Sequence, residues 1–219
     1  MTLPSSLALP FPDRAAAAER LAHALSARRG RQPLVVAIPR GAVPIARLVA
    51  DRLGGELDVV LVRKIGAPGN PEFAVASVDE SGWLYVAPHA PQAGADPDYL
   101  EREAARQLAL IRQRRARYTP GRAALDARGR DVIVVDDGMA TGATMRAAVH
   151  ALRQQHPASL TCAVPVASRE ALETVRPFVD SLVCLAAPAW FEGVGQFYLD
   201  FRQVGDDEVV RALAADAGA

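Results

Sequence analysis

Along the first sixty residues the apolar positions switch between helical and strand spacing. Behind Asp13, a residue suited to capping, "RAAAAERLAHALSARR" places Leu21 and Leu25 four apart on one helical face, with Gly30 as the stop. "PLVVAI" (33–38) is short, apolar and β-branched, which predicts a strand buried on both faces. In "PRGAVPIARLVADRLGG" (39–55) a loop feeds a helix. Pro44 suits its first turn, Ile45, Leu48 and Val49 form its apolar stripe, and Gly54 ends it. "LDVVLVR" (57–63) predicts a second buried strand, so the unit is βαβ with parallel strands and a right-handed connection.

The pattern then breaks. In "KIGAPGNPEFAVASVDESGWLYVA" (64–87), Gly66, Pro68, Gly69, Asn70 and Pro71 predict a mobile loop, followed by two short β-like runs around "SG". A long helix follows over 96–118, capped at Asp96 or Asp98 and closed by Thr119, Pro120 and Gly121. From there strand and helix patterns alternate: "DVIVV", "GATMRAAVHALRQQ", "LTCAVPVA", "REALETVRPF" and "SLVCLAA". This predicts an α/β fold with a doubly wound, mostly parallel sheet flanked by helices. The 219 residues suffice for one domain with small appendages.

Composition narrows the function. Half the residues are apolar and the formal charge is zero, which argues against a polyanion-binding protein. Residues 101–130 nevertheless gather arginine, and the basic helix at 101–117 reads as a solvated face. Cys162 and Cys184 sit in apolar runs without metal-ligand spacing, so they read as core thiols of a reducing compartment. "MTLPSSLALPFPD" has no basic start and is broken by prolines, and no apolar run approaches the ~20 residues of a membrane span. The expectation is a soluble, cytoplasmic protein.

The chemistry concentrates in "VIVVDDGMATGAT" (132–144). Asp136 and Asp137 close a predicted parallel strand, at the edge where such sheets bind ligands. Two adjacent carboxylates are costly to bury unpaired, so they should meet hydroxyls, water or a hydrated cation. The turn that follows has one large side chain and opens a helix. Its N–H groups, with the Thr141 and Thr144 hydroxyls, suit a dianion. Acids beside an anion cradle suggest a sugar phosphate. In the simpler reading a threonine only caps the helix, but a cap needs no second carboxylate. The turn lacks the lysine of a Walker A loop, and no G-x-G-x-x-G opens the first βα turn.

This stretch resembles the ribose-phosphate signature of the type I phosphoribosyltransferases: four apolar residues, two acids, then threonine-glycine-any-threonine. The resemblance extends in order through "PRGAVPIA", the strand ending in "VRK", the loop, the signature and a C-terminal piece. It implies that phosphoribosyl pyrophosphate (PRPP) is the donor. Asp136 and Asp137 would bind its ribose hydroxyls, and Ala140, Thr141, Gly142, Ala143 and Thr144 its 5-phosphate. Arg40 and Gly41, in a turn that often carries a cis non-proline peptide, would meet the pyrophosphate. So would Lys64, the only lysine among 25 basic residues. Mg²⁺ would be held mainly by PRPP and water, with aspartate help. Residues 65–73 would close over the site.

The family carries a variable hood over the acceptor, here expected from residues 1–30 and 187–219 around a core of about 31–186. Trp190 and Phe191 are candidates to stack on a base, with Phe197, Tyr198 and Phe201 in support. Members acting on 6-oxopurines commonly have an acid where this chain has Ala140, which lowers the expectation of such a substrate. Glu72 and Glu80 are candidate proton-transfer groups. The resemblance implies a transferase acting on a nucleobase or related nitrogen acceptor, as a homodimer, without nucleic acid or membrane partners. Two alternatives are a PRPP-sensing regulator, favoured only by the arginine-rich run, and a PRPP-binding partner of a separate catalytic protein.

Overall fold

The structure, a computed structural model, describes residues 9–214; residues 1–8 and 215–219 of the expected hood and the Glu72 side chain lie outside the described residues. In chain order the elements are α1 (Arg14–Ala24), β1 (Leu34–Ala37), α2 (Val43–Leu53), β2 (Glu56–Val59), β3 (Val62–Ala67), β4 (Asn70–Asp79), β5 (Leu84–Val86) and α3 (Pro97–Tyr118). They continue with β6 (Asp131–Val135), α4 (Ala143–Arg153), β7 (Ser159–Val166), α5 (Arg169–Val175), β8 (Ser181–Ala186) and α6 (Asp206–Ala214).

Five strands pair in parallel in the order β2-β1-β6-β7-β8, as the alternating pattern predicts. Both faces of the central strands are covered. Val35, Ala37, Ile133 and Val135 join the core layer containing Leu21 of α1 and Val49 of α2. Their neighbours Leu34, Val36, Val132 and Val134 join the layer containing Val149 of α4 and Val175 of α5. Each such fully buried Val or Leu contributes about 1.5–3 kcal/mol, so register is held from both sides.

The chain departs from the pattern in three places. The run 57–63 is not one strand. β2 stops at Val59 because its partner β1 is only four residues long, and the Val60 amide makes a last bond to the Ala37 carbonyl at 3.0 Å. Val62 then starts β3 in a separate antiparallel sheet, β3-β4-β5. Second, the expected loop at 65–73 is paired as the tip of the β3–β4 hairpin. Gly69 turns it with φ of 75°, and register shifts flank Gly66. A Cβ on Gly66 would lie 2.5 Å from the Pro71 backbone, so glycine here permits the close approach of two chains. Third, α1 ends at Ala24 and a 3-10 turn (Ser26–Arg28) covers the rest of the way to Gly30.

Both ends of the described chain meet over one end of the sheet. The Phe11 amide donates to the Phe197 carbonyl and the Leu199 amide to the Phe11 carbonyl, each at 2.8 Å. α6 packs beside α2 and α3, and Tyr118 donates its hydroxyl to Asp206 at 2.8 Å. Residues 101–117 are not simply a solvated face. Arg115 of α3 is ion-paired with the buried Asp58 and with Glu80, and Arg117 with Asp206.

Candidate active site

β1 and β6 are neighbours where the strand order reverses, and the turns leaving them border the crevice in which such sheets take ligands. The turn after β1 carries the cis non-proline peptide that the family resemblance implies, between Pro39 and Arg40. Gly41 follows and lies against the turn after β6. A Cβ at Gly41 would fall 1.9 Å from Asp137 Oδ2, so only glycine lets these two turns touch.

Asp137 is clamped. Arg14, the first residue of α1, donates to Asp137 Oδ2 from Nε at 3.1 Å and from Nη2 at 2.9 Å, and its Nη1 reaches the Arg202 carbonyl at 2.8 Å. The guanidinium lies 3.9 Å from the centre of the Phe201 ring. Tyr198 donates its hydroxyl to the Asp137 carbonyl at 2.6 Å. Sequence reasoning missed Arg14, although a signal was present. Arg14 shares the helical spacing of the buried Ala17, Ala18 and Leu21, and a charge on a buried stripe needs a partner.

Asp136 accepts from the Asp137 amide at 2.9 Å. Burial and the Asp137 charge push its carboxyl well above the usual carboxylate range. Burial also raises Asp137, but there Arg14 opposes the shift. A carboxyl whose folded pKa lies above its unfolded value of about 3.9 prefers the neutral form in the fold. Its ionisation therefore removes stability as pH rises above that value. Asp136→Asn is accordingly expected to raise the Tm by about 3 °C at pH 7, with the gain fading towards about pH 4. Differential scanning calorimetry across pH checks this. A Tm lowered at pH 7 would contradict it.

The segment 140–144 leads into α4. Gly142, in the left-handed region with φ of 76°, is the residue before the helix and supplies no side-chain cap. Thr141 Oγ1 accepts from the Ala143 amide at 3.4 Å, while Thr141, Ala143 and Thr144 are exposed. This start leaves first-turn N–H groups for water or a ligand, more than a threonine cap would. Ser168 braces the loop from the β7–α5 connection, donating its hydroxyl to the Ala140 carbonyl at 2.7 Å.

The remaining candidates divide. Arg40 lies on the Gly41 turn, 3.5 Å from Asp206 of α6. Lys64 does not close a parallel strand. It sits on β3 opposite Ser77, exposed, and lines a cleft with Thr141 and Thr144. Glu80 accepts from Arg115 at 2.8 Å and from the Leu61 amide at 3.2 Å, so its carboxylate is committed to an ion pair. Trp190 is 75% exposed, its indole bonded to Glu192 at 3.1 Å, whereas Phe191 packs on Phe197. Their segment is anchored to the site, since a Cβ on Gly138 would meet Val194 at 2.5 Å.

Other features carry less. Burial pushes the Cys184 thiol up to about 11 and Cys162 higher still, which leaves both as unreactive core thiols. Among the described residues no group of three or more His, Cys, Asp or Glu side chains is arranged to hold a metal, and no helix is long and apolar enough to cross a membrane. In the arginine-rich run, Arg106, Arg115, Arg117, Arg122 and Arg130 all face acids. These are five of the nine arginines of 101–130, so part of the charge that favoured the regulator alternative is neutralised within the fold.

Comparison with known proteins agrees with this geometry. A family model described as a phosphoribosyl transferase domain matches residues 9–202. A Mycobacterium tuberculosis protein bearing a provisional phosphoribosyl transferase name, found in strains CDC 1551 and H37Rv, is 39% identical over 207 residues. That match covers 93% of this chain but 46% of the relative, so the chain spans about half the relative's length. The crystal structure of the Thermus thermophilus protein TT1426 superposes with a TM-score of 0.83 at 49% identity, covering 94% of this chain and 99% of that one. With the family model matched over most of its length and the family's two turns in contact at the sheet edge, the chain belongs to the phosphoribosyl transferase domain family.

Proposed function

We propose that the protein is an enzyme that transfers the 5-phosphoribosyl group of PRPP to a nucleobase or related nitrogen acceptor and releases pyrophosphate. The observation that carries this reading is the contact of Gly41 with Asp137 where the strand order reverses. It sets an acid pair beside the turn that would receive the leaving group. Asp136 and Asp137 accept hydrogen bonds from the ribose hydroxyls. The 140–144 backbone and the Thr141 and Thr144 hydroxyls hold the 5-phosphate at the start of α4, where the helix dipole favours it.

The reaction breaks the bond from the anomeric carbon to pyrophosphate, which leaves with the electron pair. A bond forms to the acceptor nitrogen, which loses its proton to solvent or a nearby base. Positive charge develops on the ribose ring, where the negative charge that Arg14 favours on Asp137 stabilises it, while the Arg40–Gly41 turn meets the departing oxygens. Arg14 and Tyr198 act by positioning, since both hold Asp137. The β3–β4 hairpin, which carries Lys64, closes as a unit and excludes water.

Two adjacent carboxylates without a third ligand among the described residues fit a Mg²⁺ carried by PRPP and its waters, and do not form a protein cage. When bound, that ion would neutralise charge on the pyrophosphate. The two free thiols, Cys162 and Cys184, fit a reducing, cytoplasmic setting.

The test is a pyrophosphate-release screen over nucleobases with PRPP and Mg²⁺. Release should require both PRPP and one acceptor class, and should fall by at least about 100-fold in Asp137→Asn. Tight PRPP binding without release for any base would replace the transferase with a binding protein.

A further inference from the structure

A cleft of about 860 Å³ lies between α4 and the antiparallel sheet, bordered by Thr141 and Thr144 of the phosphate loop and not lined by Asp136 or Asp137. Its volume is within the usual range for small-molecule sites, about 300–1,000 Å³. The space exists because the walls are small where they face one another: Ala76 and Ser77 on β4, Ala143 and Ala147 on α4. Around this floor stand cations and rings. Lys64 and Arg146 line opposite walls, with His89 and His150 nearby, and the described lining residues include no carboxylate. Arg63 also lines the cleft, held by Gln107, whose amide donates to Glu103 behind the wall.

The rings are placed across the opening. Trp83 stacks on His150 of α4 with centroids 3.5 Å apart, and the Arg146 guanidinium lies 4.6 Å from the centre of the Tyr85 ring. Both pairs link the sheet to α4. A seam with only a packing role would be filled by apolar side chains at interior density, whereas here the volume is open and lined by basic groups and π-faces.

We propose that this cleft binds a phosphorylated aromatic ligand of the mononucleotide class, in a cavity that adjoins the donor's phosphate loop and lies outside the Asp136–Asp137 pair. The phosphate meets Lys64 and Arg146, and the base lies against Tyr85 and Trp83. Thr141 and Thr144 form one wall of the cleft and also belong to the donor's phosphate loop, so occupancy of one site is felt at the other. Lys64, Thr141 and Thr144 are common to the cleft and to the donor reading, but neither Asp136, Asp137, Arg40 nor Gly41 lines the cleft, so variants on each side tell the two apart.

Trp83 and Trp190 are the only tryptophans, so in Trp190→Phe the indole in the cleft is the sole reporter. Titration of that protein with adenosine 5'-monophosphate should change its fluorescence saturably, with a Kd below about 1 mM. Adenosine and inorganic phosphate, each tested alone, should bind at least about tenfold more weakly. Ala147→Leu, which fills the floor, and Arg146→Gln, which removes a cation, should each weaken the mononucleotide about tenfold or more. Asp136→Asn should leave its affinity unchanged. Circular dichroism confirms that each variant is folded, and Arg146→Gln decides the matter if Ala147→Leu is not. No saturable signal would overturn the proposal. So would a signal that survives the cleft variants but is lost in Asp136→Asn, since the nucleotide would then occupy the donor seat. PRPP titration of the same proteins reports separately on the donor reading.

Discussion

Gly41→Val is expected to lower PRPP affinity by at least about 100-fold while leaving the protein folded. The first added carbon would sit 1.9 Å from Asp137 Oδ2 and 2.8 Å from its Cγ, far inside van der Waals contact. The carboxylate cannot easily retreat, because two Arg14 nitrogens hold the same oxygen and Tyr198 holds the Asp137 carbonyl. Either the β1 turn or the aspartate must therefore move by about 1 Å, a displacement that costs about 100-fold where alignment matters. Gly41 lies in a surface turn, so the cores on either side of the sheet are untouched. Isothermal titration with PRPP, alongside a thermal melt, separates the outcomes. Unchanged affinity in a folded Gly41→Val protein would remove this turn from the donor seat.

Arg115→Ala is expected to destabilise the fold by about 3–5 kcal/mol, the cost of leaving a buried carboxylate without its hydrogen-bonded cation, since Arg122 approaches Asp58 only to 3.7 Å. Asp58 is 3% exposed on β2 and accepts from Arg115 at 2.7 Å, with the Leu125 and Val59 amides at 2.7 and 2.8 Å. The same guanidinium donates to Glu80 and to the Val59 carbonyl, joining α3, β2 and the end of β4. The loss is a large share of the roughly 5–15 kcal/mol typical of a domain and corresponds to a fall in Tm of about 10 °C. Urea denaturation measures it. A loss below about 1 kcal/mol would mean that Arg115 behaves as an exposed helix arginine.

The half of the candidate site proposed to hold the donor was legible because its chemistry is local in sequence. "VIVVDDGMATGAT" holds the strand, the acids, the loop and the helix start within one stretch, and Pro44 marks α2 as plainly. The parts that escaped depend on distant partners. The break after Val59 is set by the short length of β1, while the apolar run itself continues unbroken to Val62. Gly and Pro at 66–71 read as a loop, yet β3 and β4 pair through them by bulges and a tight turn. Arg14 and Asp137 are 123 positions apart, and only the helical face of Arg14 hinted at a partner. Arg115 was hidden among exposed arginines of the same helix, and Lys64 moved from the parallel sheet to the hairpin once the second strand divided.

The central claim is that the adjoining turns after β1 and β6 form a PRPP seat. Its most direct test is calorimetric titration of Mg²⁺ and PRPP into the wild-type protein and into an Asp136→Asn, Asp137→Asn double variant. The account predicts saturable binding to the wild type with a Kd below about 1 mM, weakened at least about 100-fold in a double variant that circular dichroism shows to be folded. A folded wild type that takes up no PRPP at that concentration, or a double variant that binds it equally well, would contradict the account.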